Sequence, residues 1–352
     1  MSQTPDRDAI LNALRVVVDP DLRRDIVSLG FVKDVVAADG AVSLTIELTT
    51  PACPVKDQMR DQAVAAVQAL PGVSKATVQM TARVRSASAP ETGKTPVPGV
   101  KNVIAVGAGK GGVGKTTVAV NLAIALAKCG SRVGILDGDI YGPNVPMMLG
   151  IKTQLTTNGK QIVPAEKYGV QVISIGFMTD DDAPVIWRGP MLHGAIQQFF
   201  KEVAWNDLDY LIVDMPPGTG DVAISIGQLL PRAEAVIVTT PQPAAQQVAV
   251  RAAVMAQKTG MRVLGVVENM AWLVGTGQEL FGTGGGDALA AEIDAPVLAR
   301  IPFDPALREA SDAGRPVLEA APQAEVSAAI RDLAEAVQAR RAGAIRKQLT
   351  VL

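Results

Sequence analysis

The sequence predicts an α/β chain in which a small α+β unit precedes a doubly wound, mostly parallel sheet. Three observations predict it. Six short, continuous apolar runs alternate with segments of helical length in the second part of the chain, as in a parallel sheet covered on both faces. A Ser/Ala/Pro/Gly-rich stretch after residue 85 divides the chain. Before that stretch, helical and period-two apolar patterns alternate.

The small unit, residues 1–85, starts with a helical stripe over 8–18, where Ile10, Leu11, Leu14, Val17 and Val18 fall on one face. Two strands follow around a turn at Ala38-Asp39-Gly40. In the second, Val42, Leu44, Ile46 and Leu48 alternate with polar residues, the pattern of a half-buried strand. A helix is predicted over 55–70, stopped by Pro71-Gly72, and a last strand over 73–80. Residues 86–100 have the composition of a flexible linker.

The long unit, 101–352, carries its strands at 103–106 (VIAV), 133–137 (VGILD), 170–175 (VQVISI), 211–215 (LIVDM), 235–240 (AVIVTT) and 263–269 (VLGVVEN). Segments 117–128 and 244–259 have helical length.

Composition narrows the function classes. With 352 residues, two or three domains of about 150 residues fit. The 33 Lys and Arg against 35 Asp and Glu give no basic excess, so no nucleic-acid partner is expected. Two cysteines, Cys53 and Cys129, exclude a disulfide scaffold and a four-cysteine site within one chain, and the single histidine, His193, excludes a histidine-based zinc site. The polar, acidic start MSQTPDRD is not expected to act as a secretory signal, and no uncharged apolar run approaches the roughly 20 residues of a spanning helix. A cytoplasmic protein is expected.

The strongest chemical signal is GKGGVGKT at 109–116, after one strand and opening a helix, the setting a phosphate-binding loop requires. Gly109, Lys110, Gly111, Gly112, Val113 and Gly114 would turn backbone N–H groups toward phosphates, with Thr117 in the first helical turn. Lys115 would hold the β- and γ-phosphates of ATP, and Thr116 would ligate Mg²⁺. Asp214, ending the strand in LIVDMPPGTGD, is a second magnesium candidate, and Gly218 lets the backbone approach the γ-phosphate. In ILDGDIYGP, Asp137 and Asp139 face the same crevice, Asp137 as a third magnesium candidate and Asp139 to position the attacking water. Either aspartate of this pair, or Asp214, could instead cap a turn or helix.

GKGGVGKT with its extra lysine, LDGDIYGP, DMPPGTGD and ENM together resemble the Mrp family of iron–sulfur carrier ATPases, relatives of MinD and of the nitrogenase iron protein. VVDPDL, IVSLGFV and LTTPACP resemble the SufT-like domain often fused at the N-terminus of these proteins. The resemblance implies a nucleotide-switched homodimer that hydrolyses ATP slowly and serves iron–sulfur apoproteins or assembly proteins. It implies that Lys110 reaches the phosphates of the opposite subunit, that Asn269 contacts adenine and that Asp304, in IPFDP, makes a second contact on the base side. Many members carry a CxxC pair after ENM that bridges an iron–sulfur cluster across the dimer. Here Gly275 and Gln278 stand near those positions, and no cysteine follows Cys129.

Cys53, in TPACPVKDQ, lies before a predicted helix and reads as an iron–sulfur ligand, a reactive thiol or a loop cysteine without chemistry. Cys129 reads as a packed thiol and His193 as a packing residue, while Trp187 and Arg188 suggest a lid or dimer surface. The basic tail 340–352 reads as a solvated terminus; MinD-like ATPases bind membranes with such tails, and no membrane partner is expected. The alternative to a cluster carrier is a MinD-type scaffold that binds a partner or membrane without a cluster. A metabolic kinase is a third class, without a visible substrate motif.

Overall fold

The computed structural model describes residues 5–19, 24–38, 40–48, 55–82, 97–178 and 189–349, without the side chains of 189–193 and 342–349. Cys53, the turn residue Asp39, Trp187, Arg188, the His193 side chain, most of the 86–100 stretch and the tail side chains beyond 341 therefore lie outside the described residues. The chain divides into two compact units, Met1–Arg85 and Ser86–Leu352.

In the first unit a three-stranded sheet places Ala41–Leu48 between Val32–Ala38, antiparallel, and Lys75–Ala82, parallel. Val42, Leu44, Ile46 and Leu48 are buried, as their alternation requires, against Ile10 and Leu14 of the helix Arg7–Leu14 and Met59, Ala63 and Val67 of Lys56–Gln68. The first helix is shorter than its stripe predicts. Asp6 caps its start, accepting from the Ala9 amide, but it ends at Leu14, and Val18–Asp19 pairs instead with Arg24–Asp25. Val17 and Val18 continued the helical spacing without continuing the helix.

The second unit is built on eight strands. Their order is Ala165–Lys167, Val170–Ser174, Val133–Asp137, Tyr210–Asp214, Val103–Ala108, Glu234–Thr239, Arg262–Leu273 and Val297–Phe303. All pair in parallel except the first with the second. The interior strands Val133–Asp137, Tyr210–Asp214 and Glu234–Thr239 are buried at every residue, which accounts for their continuous apolar runs. The strand Val103–Ala108 receives its sequence successor two places away, with Tyr210–Asp214 between them. This order opens a crevice beyond the carboxyl ends of these strands, where doubly wound sheets bind ligands. The helix Glu325–Leu349 lies against the helix Lys115–Lys128 and the edge strand Val297–Phe303.

Candidate functional site

The site starts from the strand Val103–Ala108 and the helix Lys115–Lys128, joined by the loop 109–114. Two glycines are obligatory there. A Cβ on Gly109 would stand 2.1 Å from the carbonyl carbon of Val248, inside the backbone of the helix Pro243–Lys258. Gly114 has φ +84°, and a Cβ there would meet the Asn269 side-chain nitrogen at 2.2 Å. Asn269, itself buried, donates from Nδ2 to the Val113 carbonyl at 2.9 Å, fastening the loop to the strand Arg262–Leu273.

Register then brings the carboxylates together. Asp214 stands opposite Val106 on one side and Asp137 on the other, at the ends of adjacent parallel strands. Asp214 is fully buried; its Oδ1 lies 2.7 Å from Lys115 Nζ and its Oδ2 accepts from Thr116 Oγ1 at 2.7 Å. Asp139 stands 3.9 Å from the same ammonium group. Burial and the neighbouring Asp214 push the Asp137 carboxyl up to about 7. Burial also raises Asp214 and Asp139, opposed in both by the Lys115 charge.

The candidates thus fall into groups. Lys115, Thr116, Asp214 and Asp139 converge, with Asp137 in register beside Asp214. Gly218 joins the same end of the sheet, its amide donating to Ala108 O at 2.9 Å. Lys110, half-buried, has no hydrogen-bond or ion-pair partner among the described residues, and Gly111 and Gly112 are exposed beside it. Asp304 caps the helix Pro305–Asp312, accepting from the Ala306 amide at 2.8 Å. Cys129 is half-buried at the end of the helix Lys115–Lys128, and burial, with Glu335 nearby, pushes its thiol up.

After Asn269 the strand runs on through Leu273 into a backbone turn. Gly277 N donates to Leu273 O at 2.9 Å and Leu273 N to Gln278 O at 2.8 Å, so Gly275 and Gln278 belong to a self-bonded turn. Among the described residues, no group of three or more His, Cys, Asp or Glu is arranged to hold a metal ion. Among them, too, no helix is long and apolar enough to cross a membrane.

One site residue escapes the motifs. Ser174, fully buried at the end of the strand Val170–Ser174, donates to Asp137 Oδ2 at 3.1 Å and accepts from the Gly176 amide at 3.1 Å. A serine closing an apolar strand carries no sequence signal; its register opposite Asp137 is what brings it in.

The donor set suits a nucleotide with magnesium. A buried lysine at the start of a glycine-loop helix suits a phosphate partner, and the Thr116 hydroxyl and Asp214 carboxylate, 2.7 Å apart, are the kind of hard oxygen donors Mg²⁺ takes.

Known proteins resemble the chain along most of its length. Residues 99–338 match the family described as NUBPL iron-transfer P-loop NTPase, and residues 7–80 match iron–sulfur cluster assembly protein. The iron–sulfur cluster carrier protein of Synechocystis is 45% identical, over 94% of this chain and 96% of its own. That of Deinococcus radiodurans is 44% identical, over 98% and 99%. A nucleotide-binding protein of Archaeoglobus fulgidus, solved with ADP, is 38% identical at a TM-score of 0.53, covering 62% of this chain and 88% of its own. The Pyrococcus furiosus cell division ATPase MinD follows at 26% identity and a TM-score of 0.54, covering 67% and 98%. With its glycine loop, its two buried strand-end aspartates and an assembly unit in front, the chain belongs to the iron–sulfur cluster carrier family of P-loop NTPases.

Proposed function

We propose that this protein is an iron–sulfur cluster carrier or assembly factor that binds and hydrolyses ATP as a homodimer in the cytoplasm, serving iron–sulfur apoproteins or their assembly partners. The observation that carries the nucleotide part is the grouping of buried Lys115 and Asp214 with half-buried Thr116 at the mouth of the glycine loop. The carrier part rests on family membership and on the assembly unit over 7–80.

In this reading the loop amides from 109 to 114 and the Lys115 ammonium bind the phosphates. Thr116 and Asp214 would hold Mg²⁺, which when bound supplies positive charge against the phosphate oxygens. Asp139 accepts a hydrogen bond from the attacking water. The water oxygen bonds to the γ-phosphorus as the bridging oxygen leaves with ADP, and the water protons pass to phosphate and solvent. With Asn269 Nδ2 engaged on Val113, Oδ1 is the atom left for the adenine amino group. Lys110 supplies a second charge to the partner subunit's nucleotide. With no CxxC after ENM, ligation of a cluster by the chain's own thiols falls to Cys53.

Hydrolysis of ATP by the full chain, compared with Lys115→Ala, tests the nucleotide part. Loss of tight ATP binding and of hydrolysis in a folded variant is expected, since a charge-assisted contact contributes about 1.5–3 kcal/mol. Wild-type hydrolysis in that variant would overturn it.

A further inference from the structure

Three parallel strand ends stand abreast: Ser174 opposite Asp137, and Asp137 opposite Asp214. All three residues are buried. Asp214 faces Lys115 and Thr116, whereas Asp137 spends its oxygens elsewhere. Asp137 Oδ1 accepts from the Asp139 amide at 3.2 Å. Its Oδ2 accepts from the Val145 amide at 3.2 Å and from Ser174 Oγ at 3.1 Å. A carboxylate oxygen has two lone pairs, so Oδ2 is fully used and Oδ1 half used.

The two amides mark the ends of one loop. Asp139 lies at its start, and Val145 opens the helix Val145–Leu149. One carboxylate thus closes both ends of residues 138–144, the loop that presents Asp139 toward Lys115. The Ser174 hydroxyl donates to Asp137 Oδ2 while its oxygen accepts from the Gly176 amide. Serine therefore joins the clamp to the segment Ile175–Met178, which also packs on the loop: a Cβ on Gly176 would meet Pro143 at 3.3 Å.

We propose that Ser174 is a positioning residue for hydrolysis: it holds Asp137 as the clamp of the 138–144 loop, so that Asp137 aims Asp139 and is not a magnesium ligand. This rests on the ATP-hydrolysing reading above. Losing the Ser174 donor leaves Asp137 Oδ2 held by the Val145 amide alone, loosens the loop and misplaces Asp139 without touching Lys115 or Thr116.

The test compares wild type, Ser174→Ala and Ser174→Cys as full chains. It measures ATP hydrolysis at saturating Mg²⁺, the Kd for ADP, the Mg²⁺ midpoint of ADP binding, and amide hydrogen exchange across 138–145. For Ser174→Ala the expected result is a kcat about tenfold lower, as loss of one hydrogen bond to a charged group implies. Exchange over 138–145 should quicken by a similar factor and stay unchanged over 103–108, with the ADP Kd and Mg²⁺ midpoint within about twofold. Ser174→Cys, nearly isosteric and a weak donor, should recover part of both losses. Unchanged kcat and exchange would overturn the proposal, and so would a shifted Mg²⁺ midpoint with kcat intact, which is what a ligand role for Asp137 predicts. If the alanine variant does not fold, the cysteine variant decides on the same readouts. A wild type that binds ADP without hydrolysing ATP would instead refute the underlying reading, while the exchange data would still judge the clamp.

Discussion

The side-chain amide of Asn269 donates to the backbone carbonyl of Val113 at 2.9 Å, with both residues buried. The pair joins two parts of the chain 156 residues apart, the interior of the strand Arg262–Leu273 and the glycine loop. It gives Asn269 a duty in holding the loop, in addition to the base contact its motif implies.

Asn269→Ala should leave the Val113 carbonyl buried without its partner, at a cost of about 1–3 kcal/mol. For a unit of this size that lowers Tm by a few degrees, at roughly 2–4 °C per kcal/mol. Calorimetry with and without ADP checks it: the Tm without nucleotide should fall, and ADP should bind more weakly. A variant losing ADP affinity with an unchanged Tm would leave Asn269 as a base contact alone.

Gly109→Ala should be far more damaging than Gly111→Ala. At 109 the new Cβ falls 2.1 Å from the Val248 carbonyl carbon, while at 111 nothing lies within 4 Å. Equal nucleotide affinity in the two purified variants would contradict this packing of loop on helix.

Mixing Lys110→Ala with Lys115→Ala subunits should restore part of the ATPase activity that each lacks alone. In the mixed dimer one site pairs an intact Lys115 with an intact Lys110 from the partner. A mixture that stays inactive, although heterodimers form, would remove Lys110 from the opposite site.

Arg341 sits toward the other end of the sheet. It donates to Asn102 Oδ1 at 2.6 Å, pairs with Glu234 at 2.6 Å and lies 5.5 Å from the centre of the Tyr210 ring. Glu234 pairs with Arg262 as well. Arg341→Ala leaves buried Glu234 short of a partner, a change costing about 3–5 kcal/mol, so Tm should drop on the order of 10 °C. Activity per folded molecule at low temperature should hold. A stable but inactive variant would show that the C-terminal helix acts on the crevice.

Much of this was legible beforehand because it is local. Each interior strand announces itself as an apolar run, and the loop 109–114 is a motif with its strand and helix attached. Edges were not legible. Val297–Phe303 is only partly buried and carries Arg300, and Ala165–Lys167 has three residues; neither shows a pattern. Ser174 and the loop-fastening duty of Asn269 stayed hidden because their partners are 37 and 156 residues away. Asp304 directly before Pro305 does carry an N-cap signal, which its reading as a base contact passed over, and its carboxylate caps the following helix.

Anaerobic reconstitution decides whether an ATP-hydrolysing chain also carries iron and sulfide. Wild type and Cys53→Ser are treated with iron and sulfide, desalted, and assayed for metal, for absorption spectra and for ATP hydrolysis. One cysteine per chain cannot build a four-thiolate shell, so a labile cluster shared between subunits or completed by external thiols is predicted. Wild type should retain iron and sulfide and Cys53→Ser should lose them, with ATP hydrolysis equal in both. Wild type that hydrolyses ATP yet retains no iron would contradict cluster carriage and leave a nucleotide-switched scaffold.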